Sequence, residues 1–226
     1  MTNRTVESVI ASSVGKLLRD HFGKGPEAVF VTVAKPFITI YLRNFMAPME
    51  KVLLDKDNDI KVQDTRDVLM EKLLPEINTI LSSETGERID HIYYDWALPN
   101  HSGVIFAEMD METPVNQVDY DYPARATVHQ EIDRITREAQ KPPHNLKSFM
   151  LNTRTLFTRR EDILVMIERE LIENGFEEEL RLAKRRLEKR LLNIDLLETE
   201  LGQKIEDVFV DWNFDNDTGY MIFILK

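Results

Sequence analysis

Cysteine is absent from the 226-residue sequence, which excludes disulfide bonds, thiolate nucleophiles and cysteine-ligated metals. Glycine and proline are sparse, at 8 and 9 residues, and 42% of the residues are hydrophobic, a composition typical of a folded protein. The five histidines never occur in the His-x-His or His-Glu-x-x-His spacing of a zinc site. We therefore expect no bound metal and no cofactor.

Basic residues are also in short supply. Lys and Arg number 29 against 40 Asp and Glu, so the formal net charge is −11, which opposes general binding to nucleic acid. No apolar run approaches the roughly 20 residues of a membrane-spanning helix, and residues 1–18 lack the charged start and apolar core of a signal peptide. The sequence predicts a soluble cytoplasmic protein that inserts into no membrane.

The two tryptophans of the chain occur in related stretches. Residues 95–103 read DWALPNHSG and residues 211–219 read DWNFDNDTG, so Asp, Trp, Asn and Gly each recur 116 positions later (211 minus 95). The same offset relates Glu84 to Glu200 and Gly86 to Gly202. A sustained offset indicates an internal repeat, so we expect two related modules at 1–110 and 127–226, joined by a linker at 111–126.

Hydrophobic periodicity predicts the order α-β-β-α-β-β in each module. The fold class is α+β, with two antiparallel sheets backed by helices. Asn100, Asn216, Gly103 and Gly219 are expected in left-handed turn conformations at the hairpin tips. Four apolar residues at seven-residue spacing predict a long helix with a helix–helix seam in the second module: Leu180, Leu187, Ile194 and Leu201.

The first half resembles a known family. The stretch GKGPEAVFVTVAKPFITIYLRNFMAPMEKVLL at 23–54, a helix ending in TGERI and the hairpin with Asp-Trp are similar to the MpsC family, the C component of a sodium-translocating, membrane-potential-generating system. The similarity runs over roughly residues 4–110. The second half resembles a diverged copy, in which KPPHN replaces GKGPE and LVMIER replaces the segment around APMEK. The resemblance implies association with ion or inorganic-carbon transport and brings no catalytic residues.

Two sets of candidate binding residues follow. The first lies in the half that resembles the family, and the second consists of the repeated Asp-Trp pairs, which are either recognition residues or core anchors. They are Lys24, Glu27, Arg43 and Glu50, and Asp95, Trp96, Asp211 and Trp212. The basic stretch at 181–190 is either a solvated helix face or a contact for acidic lipid or an acidic partner.

The leading functional hypothesis is a non-catalytic accessory or regulatory protein beside a membrane transporter. Its expected partners are proteins of the transport system. The sequence is also compatible with a homodimer and with peripheral contact with a membrane. One alternative is a sensor for a small molecule or anion, with its site between the modules. The other is a metal-independent hydrolase using paired carboxylates, with Asp95, Asp211 and Glu27 as candidate members.

Overall fold

The computed structural model describes residues 5–56, 58–110 and 121–226. The chain divides into two compact units, Met1–Gln117 and Val118–Lys226. Of the linker predicted at 111–126, residues 111–120 lie outside the described residues, and Arg125 already opens a helix. Each unit has its own hydrophobic core and its own sheet.

The first unit builds a four-stranded antiparallel sheet in the order β1-β2-β4-β3. Its first helix begins where Thr5 accepts a hydrogen bond from the Ser8 N–H, 3.3 Å, and ends at Gly23 with φ of 72°. A short 3-10 helix, Leu98–Asn100, separates the last two strands. The elements are α1 Val6–Phe22, β1 Ala28–Ala34, β2 Phe37–Arg43, α2 Pro48–Leu54, α3 Asp59–Thr85, β3 Ile89–Ala97 and β4 Ser102–Met109.

The second unit has the equivalent strand order, β5-β6-β8-β7. Its elements are α4 Arg125–Ala139, β5 Asn145–Asn152, β6 Thr155–Glu161, α5 Met166–Glu173, α6 Glu177–Leu191, α7 Ile194–Leu201, β7 Ile205–Asn213 and β8 Thr218–Leu225. The predicted α+β class with two antiparallel sheets backed by helices is confirmed. The sequence did not reveal α2 and α5, which follow the second strand of each unit.

One face of each sheet packs against the helices of its own unit. Strand residues such as Ile40 and Leu42 pack with Val14 of α1 and Leu73 of α3, all at most 1% exposed. The opposite face carries rows of aromatic rings. In the second unit Phe149, Phe157 and Tyr220 stack across three strands, with centroids 5.8 Å apart at each step.

The predicted long helix in the second unit is wrong, because the segment is two helices. Leu192 is extended (φ −62°, ψ 132°) between α6 and α7, so Leu187 and Ile194 do not share a helix face. Before the break, equivalent residues of the two units are 118 positions apart, as Arg66 and Lys184 are. After the break the offset between equivalent residues is 116, as it is for Trp96 and Trp212. The second unit is therefore two residues shorter here, and two residues rotate a helix by about 200°. The interruption returns α7 to the core, where Leu197 is 1% exposed.

Candidate functional site

Trp96 is a core residue of the first unit. It lies on β3, is 2% exposed, and packs against the rings of Phe45 and Phe22 with centroids 6.0 and 6.5 Å away. The guanidinium carbon of Arg66 lies 4.5 Å from the centre of the indole ring. The ring is thus held between aromatic side chains and a buried cation, a favourable cation–π arrangement.

Arg66 connects three parts of this unit. It lies on α3, is 0% exposed, and its Nε and Nη2 donate to the two carboxylate oxygens of Glu50 at 2.7 and 2.8 Å. Nη2 also donates to the backbone oxygen of Phe45, 2.8 Å. The Glu50 carboxylate in turn accepts from the Ala47 N–H, 2.7 Å, at the start of α2. The candidate residue Glu50 therefore fixes α2 to α3 from inside the unit.

The second unit repeats this cluster with a lysine. Trp212 is 2% exposed, and Lys184 Nζ lies 5.1 Å from the centre of its ring. The same Nζ lies 2.6 Å from Glu168, whose other oxygen accepts from the Val165 N–H at the start of α5, 2.9 Å. Burial lowers the pKa of Lys184, against the opposing influence of Glu188 and Glu168. We call the two sets, Glu50–Arg66–Trp96 and Glu168–Lys184–Trp212, the tryptophan clusters.

The repeated glycines make room for the indoles. The predicted left-handed turn positions are wrong: in the turns before these glycines the positive φ angles belong to His101 and Asp217, at 53° and 46°. Gly103 and Gly219 stand in strands directly opposite the tryptophans. A Cβ on Gly103 would lie 2.3 Å from Trp96 Cε3, and this overlap explains why a side chain is missing there.

The two repeated aspartates are buried and bound within the protein. Asp95 is 1% exposed, and its Oδ1 accepts from the Trp96 N–H, 2.7 Å. Asp211 accepts from the Trp212 N–H, 2.9 Å; it also binds Arg181, and Arg185 Nη2 lies 3.4 Å from its Oδ2.

The basic stretch of α6 is used internally. Arg181 Nη1 also donates to the backbone oxygen of Trp212, 3.0 Å, on the edge strand β7. Burial opposes the charge of Arg181, yet Asp211 and Glu178 raise its pKa above the ordinary value. Lys184 and Arg185 are 4% and 2% exposed. These cations stabilise the sheet edge and the tryptophan cluster, which corrects the expectation of a solvated or lipid-binding face for this side of the helix.

Glu27 and Arg43 are exposed on the first unit, and Lys24 is partly exposed. The Glu27 N–H donates to the Arg43 oxygen, 3.0 Å, so both residues stand at the end of the β1–β2 hairpin away from its turn. Asn44 donates to the Glu27 carboxylate, 2.6 Å, and the Arg43 guanidinium lies 5.3 Å from the Phe30 ring centre. The structure brings these candidates to one end of the unit and separates them from the buried Glu50.

Sequence reasoning missed the cations of both clusters. Arg66 and Lys184 lie in strongly charged helical stretches, where a buried residue looks like any solvated one. The usable signal was the constant offset of 118 that relates both Glu50 to Glu168 and Arg66 to Lys184. Within residues 5–56, 58–110 and 121–226, no group of three or more His, Asp or Glu side chains could hold a metal ion. In the same ranges no helix has the length and hydrophobicity needed to cross a membrane.

The comparison with protein families finds a match, and it covers the first unit. Residues 2–111 match the MpsC family, described as the Na+-translocating membrane potential-generating system. No curated protein and no solved structure matches the chain. The matched residues run from α1 through β4 and include the first tryptophan cluster and the surface of Lys24, Glu27 and Arg43. The first unit of this chain therefore belongs to the MpsC family.

Proposed function

We propose that the protein is a non-catalytic accessory or regulatory component that binds a membrane protein of a Na+-translocating system. The family match over residues 2–111 carries this proposal. The second unit is, in the same proposal, a diverged tandem copy, which its equivalent strand order supports. The protein reaches the membrane through its partner, and ion or inorganic-carbon uptake is the process that it serves.

The distribution of the candidate residues supports a docking role. Glu50 is occupied by Arg66, and Asp211 is occupied by Arg181, so both carboxylates stabilise the units. Arg43 is exposed on the first unit, and Lys24 is partly exposed. Charges at such a surface act chiefly on the rate and specificity of association, which favours an acidic face on the partner.

Capture from native membranes tests the proposal. The tagged full-length protein is expected to retain an integral ion-transport protein, identified by mass spectrometry. The double variant Lys24→Glu/Arg43→Glu should retain about tenfold less of it, a loss of about 1.4 kcal/mol of binding free energy.

The matched control is Lys141→Glu, which reverses a charge just after α4 as Lys24→Glu does just after α1. Urea denaturation of each variant verifies that the fold is retained. Retention of no transport protein, or equal retention by the wild-type protein and the folded double variant, would refute the proposal.

A further inference from the structure

The second unit contains a fully buried ion pair beside its tryptophan cluster, since a Cβ on Gly219 would lie 3.0 Å from both Arg160 Nη2 and Trp212 Cδ1. Arg160 on β6 and Glu188 on α6 are both 0% exposed, with Nη2 and Oε2 2.7 Å apart. Arg160 Nη1 donates to Thr136 Oγ1, 3.0 Å, and Gln140 Nε2 donates to Glu188 Oε1, 2.6 Å. Because Thr136 lies on α4 and Gln140 directly follows that helix, three separate parts of the unit complete this arrangement.

The first unit is apolar at the same positions. Leu42 is the strand partner of Gly103, as Arg160 is the strand partner of Gly219. Met70 follows Arg66 by four residues, as Glu188 follows Lys184.

The helix positions correspond as well. The buried series Ile10, Val14 and Leu18 of α1 has the spacing of Val128, Ile132 and Thr136 in α4, so Leu18 stands for Thr136. Leu18, Leu42 and Met70 are all 0% exposed, like the polar residues that replace them.

A buried ion pair is weak evidence for added stability, because replacing it with well-packed apolar residues often leaves the free energy of unfolding unchanged or increases it. Its energetic consequence appears when the partner is missing, because a buried charge without its partner is strongly destabilising. Two units with equivalent strand orders also face a particular hazard, since an element of one unit has nearly the shape that the other needs. If β6 occupied the place of β2, Arg160 would be buried against Met70 with no carboxylate.

We propose that the Arg160–Glu188 pair ensures that the elements of the second unit associate with one another and not with the matching elements of the first unit, in the same chain or in a second copy. The pair forms only when β6 packs against α6. Its hydrogen bonds to Thr136 and Gln140 form only when α4 is packed there as well. Exchange in either direction separates the two charges, so the correct assembly is favoured even where apolar packing would tolerate the wrong one.

Refolding of the full-length chain tests this inference. The variant Arg160→Leu/Glu188→Met carries the residues of the first unit, and Leu42→Arg/Met70→Glu gives both units the ion pair. Each protein is unfolded in urea and refolded at high concentration, and the mass distribution is measured by light scattering after size-exclusion chromatography. Wild-type protein should return to its starting mass, whereas both variants should form a several-fold larger share of higher-mass species.

Exchange inside one chain leaves the mass unchanged and needs a second measurement. The chain has no cysteine, so Thr127→Cys/Glu200→Cys introduces two unique thiols at a contact of α4 with α7, whose side-chain oxygens are 3.4 Å apart. A short bis-maleimide should link them in nearly all refolded molecules of the otherwise wild-type chain. In the two exchange-prone variants the linked fraction should fall.

Leu156→Ala is the control for simple destabilisation, since Leu156 is 1% exposed on the same strand as Arg160. It should lower the urea midpoint without raising the higher-mass share or lowering the linked fraction. The proposal fails if Leu156→Ala misassembles as much as the charge variants. It also fails if either charge variant refolds with wild-type mass and a wild-type linked fraction; should Arg160→Leu/Glu188→Met not fold, Leu42→Arg/Met70→Glu alone decides.

Discussion

In each unit a buried cation links the tryptophan ring to a buried glutamate. Arg66 makes two hydrogen bonds to Glu50 and one to the Phe45 backbone, whereas Lys184 offers a single close contact to Glu168. A guanidinium suits a bidentate contact that an ammonium cannot reproduce. From the sequence, Asp-Trp was either a core anchor or a recognition site, and the 2% exposure of Trp96 and Trp212 shows that both are core residues.

Gly103 and Trp96 form a matched pair whose substitution tests this packing. Trp96→Ala should lower the free energy of unfolding by about 3–5 kcal/mol, because a buried aromatic side chain is lost and a cavity remains. Gly103→Ala should lower it by about 2–3 kcal/mol, since its Cβ would overlap the ring at 2.3 Å. Gly15→Ala is the control, because its Cβ would be 3.4 Å from Val29. Urea denaturation followed by circular dichroism measures all three, and equal midpoints for the two glycine variants would contradict the prediction.

His129 should make stability depend on pH. Its Nε2 lies 2.7 Å from Ser148 Oγ. Ser148 Oγ accepts from the Tyr122 hydroxyl, 2.8 Å, which leaves the proton of Ser148 available for donation to Nε2 of a neutral imidazole. Burial, and to a lesser degree Arg125, lowers the pKa of His129. As pH falls below about 6.5, the ordinary histidine value, the unfolded chain therefore binds the proton first and stability decreases until the folded pKa is passed.

His129→Gln keeps a hydrogen-bond acceptor and removes the titration. Its free energy of unfolding, measured in urea between pH 7.5 and 5, roughly the range around the ordinary pKa, should fall less steeply with acid than that of the wild-type protein. The carboxylates titrate alike in both proteins, so the difference reports His129. Parallel curves would show that its protonation is not linked to folding.

Element boundaries were predictable where the periodicity is long and a glycine marks the end, as at α1 with Gly23 and at α3 with Gly86. The short helices α2 and α5 were not predictable, because their first turns expose apolar side chains. Their positions are fixed by ion pairs to Arg66 and Lys184, which lie on other helices. The break between α6 and α7 is also tertiary in origin. The Asn193 N–H donates to Glu131 Oε1, 2.7 Å, and Arg134 Nη2 donates to the Leu191 oxygen, 2.7 Å, so α4 satisfies the backbone groups that the break leaves free.

Glu131→Ala should therefore weaken α7 first. Glu131 is 4% exposed, and loss of hydrogen bonds to a charged, buried acceptor costs about 1.5–3 kcal/mol. Hydrogen exchange of the amides at the start of α7 should accelerate, and the urea midpoint should fall. Glu138→Ala is the matched control, since Glu138 is on the same helix, binds the same Arg134 and is largely exposed. If both variants behave alike, Glu131 does not support the break.

At the scale of the whole molecule, the buried clusters determine what the surface presents. The Glu50–Arg66 pair holds α2, whose outer side exposes Met49 and Val52 at 77% and 55%. The Glu168–Lys184 pair holds α5, which exposes Met166 and Ile167 at 84% and 66%. The family match covers only the first of these helices. We predict that the two units divide their roles, with partner recognition on the first and support or a dimer contact on the second.

Serine substitutions on the two helices test that division. Met49→Ser/Val52→Ser should reduce capture of the membrane partner at least tenfold, because an apolar side chain fully buried at a contact is worth about 1.5–3 kcal/mol and about 1.4 kcal/mol already corresponds to a factor of ten. Met166→Ser/Ile167→Ser should leave capture unchanged, and a fall in mass by light scattering would assign α5 to a dimer contact. Neither change should alter the free energy of unfolding by more than about 0.5 kcal/mol, since the side chains are exposed. Loss of capture in the second pair with full capture in the first would mean that the second unit, and not the unit matched by the family, recognises the partner.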